Sequence, residues 1–151
     1  MRRWIIYGAV AVLALLLAPA PRTDVGELLP VELLYLYMEE GSLCVETDTG
    51  NFGAGPDLDA ALADLKATAS GTVFLDTADY LVITGQTMAQ LPQLWELLRP
   101  ATQVCLGVGA DAGAAEFLAA HKPGVTLNDI RSGRRIPPIL TRTEERYRLE
   151  S

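Results

Sequence analysis

Residues 31–47, which read VELLYLYMEEGSLCVET, decide the fold. From Val31 to Glu40 the residues alternate between two sides of an extended chain and are rich in aromatic and aliphatic types, a pattern typical of a strand. Glu39 to Ser42 supplies turn residues, and a second strand pattern runs from Leu43 to Thr47. Because a tight turn joins only antiparallel strands, these residues predict a β-hairpin and argue against a purely parallel sheet.

Downstream of the hairpin, helix and strand patterns alternate up to residue 130. Helices are predicted from Asp57, an N-cap residue, to a stop near Gly71, over 88–98 with Pro92 in the first turn, and over 114–120. Strands are predicted over 73–84 and 102–107, and a short helical turn over 127–130. We expect an α/β (α+β-like) fold, a small mixed β-sheet with an N-terminal antiparallel hairpin and about three helices on one face.

The N-terminus has the pattern of an export signal. Arg2 and Arg3 precede an apolar run from Trp4 to Ala20, 17 residues long, which is near the lower limit for a membrane span. A cleaved signal peptide and an uncleaved signal anchor both fit residues 1–21. Pro21 would suit a peptidase cleft poorly, which favours the anchor. The rest of the chain is then expected on the extracytoplasmic face of the cell membrane, or secreted if the segment is cleaved.

Charge divides the remaining chain into two parts. The expected mixed α/β domain, residues 22–130, holds 16 carboxylates against four basic side chains, a net charge of −12. The basic C-terminal tail, residues 131–151, holds six arginines against three glutamates, a net charge of +3. We expect a solvated tail, although it could also fold back on the domain, reach lipid headgroups or contact an acidic partner. The acidic balance argues against nucleic-acid binding.

One motif suggests an enzyme. Asp48-Thr49-Gly50 matches the active-site triplet of aspartic proteases, and Leu75 to Asp79 looks like a decayed second copy. Such enzymes need two carboxylates that share a proton, which a dimer could supply. However, Glu46 and Thr47 precede Asp48 where those families have apolar residues, and the helices fit an all-β fold poorly. A turn at a strand end is favoured, and a dimeric protease using Asp48 is kept as an alternative.

Two glycine-rich segments could suggest phosphate binding. The segment Gly107 to Ala112 has the spacing of a dinucleotide fingerprint, but Asp111 would place a carboxylate beside the pyrophosphate. In the loop from Gly50 to Pro56, the proline lacks an N–H donor and acidic residues follow. We therefore predict structural turns and no cofactor.

The cysteines and the histidine are too few for a closed zinc site. Cys44 and Cys105 lie in strand-like segments and are a candidate disulfide if their strands are neighbours; buried free thiols are the other interpretation. His121 lies at the predicted end of a helix, where it could cap carbonyl groups. No catalytic or metal-binding residue is predicted.

Residues 57–130 carry a family resemblance. The helix from Asp57 to Thr68, the segment Val73 to Leu75, the strand from Tyr80 to Gly85 and the run from Val104 to Leu118 follow one another in a particular order and spacing. In the order and spacing of these segments, the chain resembles the N-terminal domain of the Ger(x)C-type C-subunit family of spore germinant receptors. Thr77 stands where that family has a histidine, and no lipobox cysteine follows the apolar segment.

The resemblance implies a non-catalytic receptor component in sporulation or germination, here a free-standing first domain on a membrane anchor. Together, these features predict a non-enzymatic, membrane-tethered extracytoplasmic protein-interaction domain. Its partner would be a membrane or spore-envelope protein, and the acidic domain would favour a basic patch on that partner. A small-ligand-binding exported domain is a further alternative.

Overall fold

A computed structural model describes residues 28–144 and 146–150, which form nine strands in two sheets and four α-helices. The strands are β1 (Leu28–Pro30), β2 (Leu33–Glu39), β3 (Ser42–Thr47), β4 (Phe52–Gly55), β5 (Thr72–Phe74), β6 (Tyr80–Ile83), β7 (Gln103–Val108), β8 (Ile139–Thr143) and β9 (Arg146–Glu150). The helices are α1 (Leu58–Thr68), α2 (Leu91–Leu97), α3 (Ala115–Ala120) and α4 (Leu127–Arg131).

The predicted N-terminal anchor, residues 1–21, lies outside the described residues. Within the part of the chain that the structure describes, no helix has the length and apolar character needed to cross a membrane.

The predicted hairpin is confirmed. Strands β2 and β3 are antiparallel, with Glu39 opposite Ser42 at the turn and Leu34 opposite Thr47 at the far end. Glu40 and Gly41 connect them with φ angles of +48° and +84°. Two consecutive positive φ angles are typical of the type I′ turn, whose twist matches that of the strands.

The main sheet is mixed, with the strand order β4-β3-β2-β6-β7-β8-β9. Strands β2, β6, β7 and β8 are parallel to one another, whereas β3 and β9 run antiparallel to their neighbours. A second, two-stranded sheet pairs β1 with β5 in parallel. The sequence predicted one strand over 73–84, but a 3-10 turn at Leu75–Thr77 separates β5 from β6.

Helices cover both faces of the main sheet, so the expectation of helices on one face is wrong. The front face, which includes Leu36 and Leu81, packs against α1, α2 and α4. The back face, which includes Val82 and Cys105, packs against α3. The chain passes from one face to the other beside β7, where Thr126 pairs with Gln103.

Strand β4 occupies the segment that the sequence predicted as a loop. Glycine weakens strand propensity, but here it permits a close approach of α1. A Cβ at Gly53 would lie 2.3 Å from Ala61 O and from Leu65 N, and one at Gly55 would lie 2.7 Å from Ala60 Cβ. The glycines therefore seat α1 on the edge of the sheet.

The C-terminal region also differs from its prediction. Within residues 131–151, expected to form a solvated tail, β8 pairs in parallel with β7 and β9 pairs antiparallel with β8. Tyr147 and Leu149 alternate with charged residues, which is the two-residue period typical of a strand. Two strands of the main sheet therefore come from this basic region.

Candidate functional site

Among the described residues, none covers the front face of the sheet from the C-terminal end of β7 across β8 and β9. We call this area the β7–β9 surface and define it by five residues: Val108, Ile139, Thr141, Arg146 and Arg148. Their register places them on one face, because Val108 pairs with Thr141, and Thr141 pairs with Arg148. Val108 is 56% exposed and Ile139 is 42% exposed, which is unusual for aliphatic residues in a sheet.

The uncovered area begins where the front core ends. Leu106 of β7 is half-buried and packs against the front core, whereas Val108, two residues further on the same face, is exposed. Helix α4 ends at Arg131, before the chain enters β8. The last two strands therefore extend the sheet beyond the helices that cover its front.

Two open grooves include residues of the β7–β9 surface. The first, of about 670 Å³, follows the β8–β9 hairpin. The second, of about 610 Å³, is more apolar and lies between the hairpin and the segment before β8. Ile136, 85% exposed, lies in this second groove. The second groove is lined by Pro123, Val125, Arg135, Ile136, Pro137, Pro138, Ile139 and Glu150.

A polar cluster on the back face fixes the hairpin to the domain. Asp111 accepts hydrogen bonds from the Tyr147 hydroxyl and from the Arg142 guanidinium, with which it also forms an ion pair. It also accepts from the Gly113 N–H at 3.0 Å, which caps the turn before α3. The Tyr147 ring lies 5.6 Å from the Phe117 ring of α3. The hairpin is thus held at its back while its front stays open.

The arginines of the C-terminal region take two different roles. Arg142 is used in the cluster at Asp111, whereas Arg146 and Arg148 point to the open front and are exposed. Arg148 forms a 3.6 Å ion pair with Glu150 on the same strand, and this pair is largely exposed, so it adds little to stability. The front arginines remain accessible to the carboxylates of another molecule.

The two aspartate motifs support the backbone around the start of β2. Asp48 Oδ1 accepts from the Glu32 N–H at 2.9 Å and from the Leu33 N–H at 3.0 Å. Asp79 of the second motif forms a 2.7 Å ion pair with Arg99, and its N–H donates to the Glu32 carbonyl at 2.9 Å. The structure therefore brings both motifs to β2 and gives each a structural partner.

Thr77 joins two segments. Its hydroxyl accepts from the Val31 N–H at 2.9 Å and lies 2.7 Å from the Phe74 carbonyl, to which it can donate.

The segment from Gly107 to Ala112 forms a strand end and a tight turn, as predicted. A Cβ at Gly107 would lie 2.8 Å from Val82 Cγ1, so this glycine is required by packing on the back face. Gly109 adopts a φ of +63°, which glycine accommodates without strain.

Cys44 and Cys105 are free thiols, and both are buried. Strands β3 and β7 are separated by β2 and β6. Three strand spacings amount to about 14 Å, whereas a disulfide requires Cα atoms less than about 7 Å apart. The candidate disulfide is therefore excluded within one chain. Burial raises the pKa of the Cys105 thiol to about 12, and burial also raises the pKa of Cys44.

His121 is the C-cap residue of α3. Its Nδ1 lies 3.2 Å from the Phe117 carbonyl, and its ring stacks on the Phe117 ring at 4.5 Å. Because a carbonyl oxygen only accepts, Nδ1 carries the proton in this contact. The predicted capping role is the one observed.

Within residues 28–144 and 146–150, no group of three or more His, Cys, Asp or Glu side chains is placed to hold a metal ion. The chain matches no protein family model, no curated protein and no solved structure.

The β7–β9 surface was not predicted from the sequence. Val108 was assigned to the turn after the strand over 102–107, and Ile139 and the arginines were assigned to a solvated tail. The two-residue period of residues 146–150 could have indicated the strand. Nothing local indicates that its front would stay uncovered, because that depends on where α4 ends relative to β8.

Proposed function

We propose that this protein is a non-enzymatic, membrane-tethered protein-interaction domain that binds an acidic segment of a partner protein on its β7–β9 surface. The observation that carries the proposal is the presence of exposed aliphatic and arginine side chains together on one uncovered sheet face. The fixed hairpin behind this face gives it a defined shape. The partner would be a membrane or spore-envelope protein on the extracytoplasmic side.

Apolar contact would supply part of the affinity. Val108, Ile136 and Ile139 are the large exposed hydrophobic residues at this end of the sheet. Covering them removes apolar area from water at about 25 cal/mol per Å². Apolar centres with a polar rim are the usual anatomy of protein-binding sites.

Arginine would supply orientation and specificity. Arg146 and Arg148 lie on alternate residues of β9 and project on the same side. Each guanidinium can bind a carboxylate through two parallel hydrogen bonds. A partner segment with apolar and acidic residues in alternation would meet both features. The β7–β9 surface carries two arginines, with Glu150 beside them on the same face, in contrast to the strongly acidic domain, so an acidic partner replaces the basic one expected from the sequence.

A protein is favoured over a lipid surface as the ligand. Between residues 28 and 130, 14 carboxylates stand against three basic side chains, and Glu144 and Glu150 lie next to the arginines. An anionic bilayer would attract the two front arginines but repel the rest of the domain. A single acidic segment can contact the arginines without approaching the other carboxylates.

The tether and the setting come from the sequence. Residues 1–21 would hold the domain at the membrane, where the high local concentration of a membrane partner makes a modest affinity sufficient. The sporulation or germination context rests on the resemblance of residues 57–130 to the germinant-receptor subunits.

The test compares two charge reversals of equal size in the full-length, tagged protein, purified with its partners from sporulating cells. Arg146→Glu changes the β7–β9 surface, whereas Lys66→Glu changes an exposed site on α1 at the opposite edge of the sheet. We expect Arg146→Glu to lower the yield of the bound partner by about tenfold, as loss of a well-placed charge contact does. Lys66→Glu should retain the partner.

The salt dependence provides a second measurement. The wild-type complex should weaken as ionic strength rises, because surface charge attraction is screened. Equal retention of the partner by both variants would contradict the proposal. Recovery of anionic lipid instead of protein, lost in Arg146→Glu, would replace the protein partner with a membrane surface.

A further inference from the structure

The two edges of the main sheet differ in how their backbone groups are satisfied. At the β4 edge, the Ala54 N–H donates to Asp64 Oδ2 at 3.0 Å, and the Phe52 carbonyl accepts from the Thr68 hydroxyl at 3.0 Å. Both side chains belong to α1. This edge is therefore closed to another strand by the helix packed on it.

The β9 edge has free backbone groups. Thr143 of β8 pairs with Arg146 at the turn, and the closing pair of a two-residue hairpin exchanges both hydrogen bonds. Tyr147 and Leu149 therefore direct their N–H and C=O groups away from β8. Among the described residues, no side chain hydrogen-bonds these outward groups, in contrast to the β4 edge.

We propose that β9 pairs antiparallel with β9 of a second copy of this chain. The strand sequence is self-complementary when Leu149 lies opposite Leu149 of the second copy. Arg148 then faces Glu150 of the second copy, and Glu150 faces its Arg148, so that two opposite-charge pairs form. The N–H and C=O groups of Leu149 are directed outward from β9, so in this register the Leu149 residues of the two copies can exchange backbone hydrogen bonds.

Neighbouring registers are less favourable. A shift by one pairing step in one direction places Arg148 opposite Arg148, with Arg146 facing Glu150 on each side of that pair, and a shift in the other direction places Glu150 opposite Glu150. Like charges directly opposite one another destabilise a strand pair. Charged residues on an edge strand usually discourage pairing, but the register with Leu149 opposite Leu149 combines opposite-charge pairs with no like-charge pair, which the two neighbouring registers do not.

The pairing would double the β7–β9 surface. Antiparallel strands that share a sheet keep their faces together, so both copies would present Arg146 and Ile139 on the same side. The self-association does not depend on the proposed partner: it rests on the backbone edge of β9 and on Arg148 and Glu150, whereas partner binding is tested at Arg146, which faces no charged residue in the dimer. Each can therefore fail without the other.

The experiment measures the mass of the full-length protein in detergent micelles by sedimentation equilibrium over a range of protein concentrations. Arg148→Glu would turn both attractive pairs into repulsive ones and should weaken the dimer by about tenfold or more. The double variant Arg148→Glu/Glu150→Arg restores opposite charges and should recover dimer formation. Arg146→Glu has the same charge change on the same strand but faces no charged residue in this register, and should leave the dimer intact.

Oxidative cross-linking gives an independent readout of the register. Hydrogen-bonded antiparallel pairs have Cα atoms about 5.5 Å apart, within disulfide range. Leu149→Cys should give a covalent dimer under mild oxidation, whereas Thr143→Cys, on β8, should not. The native cysteines are buried and should contribute no background.

A dimer that Arg148→Glu weakens and the double variant restores would support the proposal. A monomer at every concentration, or a dimer that all three charge variants leave unchanged, would overturn it. A dimer weakened by Arg146→Glu instead would overturn the proposed register.

Discussion

The substitution Gly53→Ala would test the contact between α1 and β4, on which the closed edge of the sheet depends. The added Cβ would lie 2.3 Å from Ala61 O, 2.3 Å from Leu65 N and 2.6 Å from Leu65 Cβ. Two of these atoms are backbone, so a side-chain rotation cannot relieve the overlap. Helix α1 must shift away from the sheet or the strand must bend.

The expected cost follows from that overlap. Adding atoms to a packed core costs about 1–3 kcal/mol, and a clash with backbone places this site at about 3 kcal/mol. Replacing glycine also restricts the unfolded chain, which returns at most about 1 kcal/mol. A net loss of about 2–3 kcal/mol is a large part of the stability of a domain. For a chain of this size it lowers the melting temperature by about 4–12 °C.

Gly85→Ala is the matched control. A Cβ at Gly85 meets nothing within 4 Å, and its φ is not in the left-handed region, so alanine should be neutral or slightly stabilising. Thermal and urea unfolding of both variants, followed by far-ultraviolet circular dichroism, measure the difference. If Gly53→Ala unfolds at the same temperature as Gly85→Ala, α1 does not lie on β4 as described.

Three further predictions concern polar and thiol groups. Asp48→Ala should lower the free energy of unfolding by about 1–3 kcal/mol, because two backbone N–H groups lose their acceptor. Asp48→Asn keeps an acceptor oxygen and should lower the free energy of unfolding, measured by urea titration, by less. An equal loss in both variants would refute the hydrogen-bond role. Cys44 and Cys105 should not react with a thiol reagent at pH 8 in the folded protein, since burial raises the pKa of both thiols. Both should react after the protein is unfolded in guanidinium. Rapid reaction of the folded protein would contradict their burial. Hydrogen bonds from Thr126 lower the pKa of Asp129 in the folded state, so the contribution of Asp129 to stability is present at neutral pH and is lost as the pH falls below about 4. Asp129→Asn should flatten the dependence of the melting temperature on pH between pH 3 and pH 6. An unchanged dependence in this variant would contradict the role of Asp129.

The hairpin was predictable because its information is local. The strand alternation of residues 31–47 and the glycine of the turn act within a few residues of each other, and tertiary packing has little room to override them. The helix at 58–68 was predicted for the same reason, since its N-cap Asp57 and its apolar spacing lie within two turns of each other.

The features that the sequence did not predict depend on distant contacts. Gly53 and Gly55 are poor strand residues on their own, and β4 forms because α1 packs against them. The separation of Cys44 from Cys105 depends on strand order, which no local pattern specifies. The β7–β9 surface depends on the length of sheet left uncovered after α4.

The most direct test of the proposed docking surface is site-specific photo-crosslinking in intact membranes of sporulating cells. One photoreactive residue replaces Thr143, exposed beside the β7–β9 surface, and in a separate variant the same residue replaces Asp59, exposed on α1. We predict that the Thr143 variant captures an acidic protein segment and that adding Arg146→Glu abolishes this adduct. Capture of the same partner from Asp59 but not from Thr143 would contradict the account.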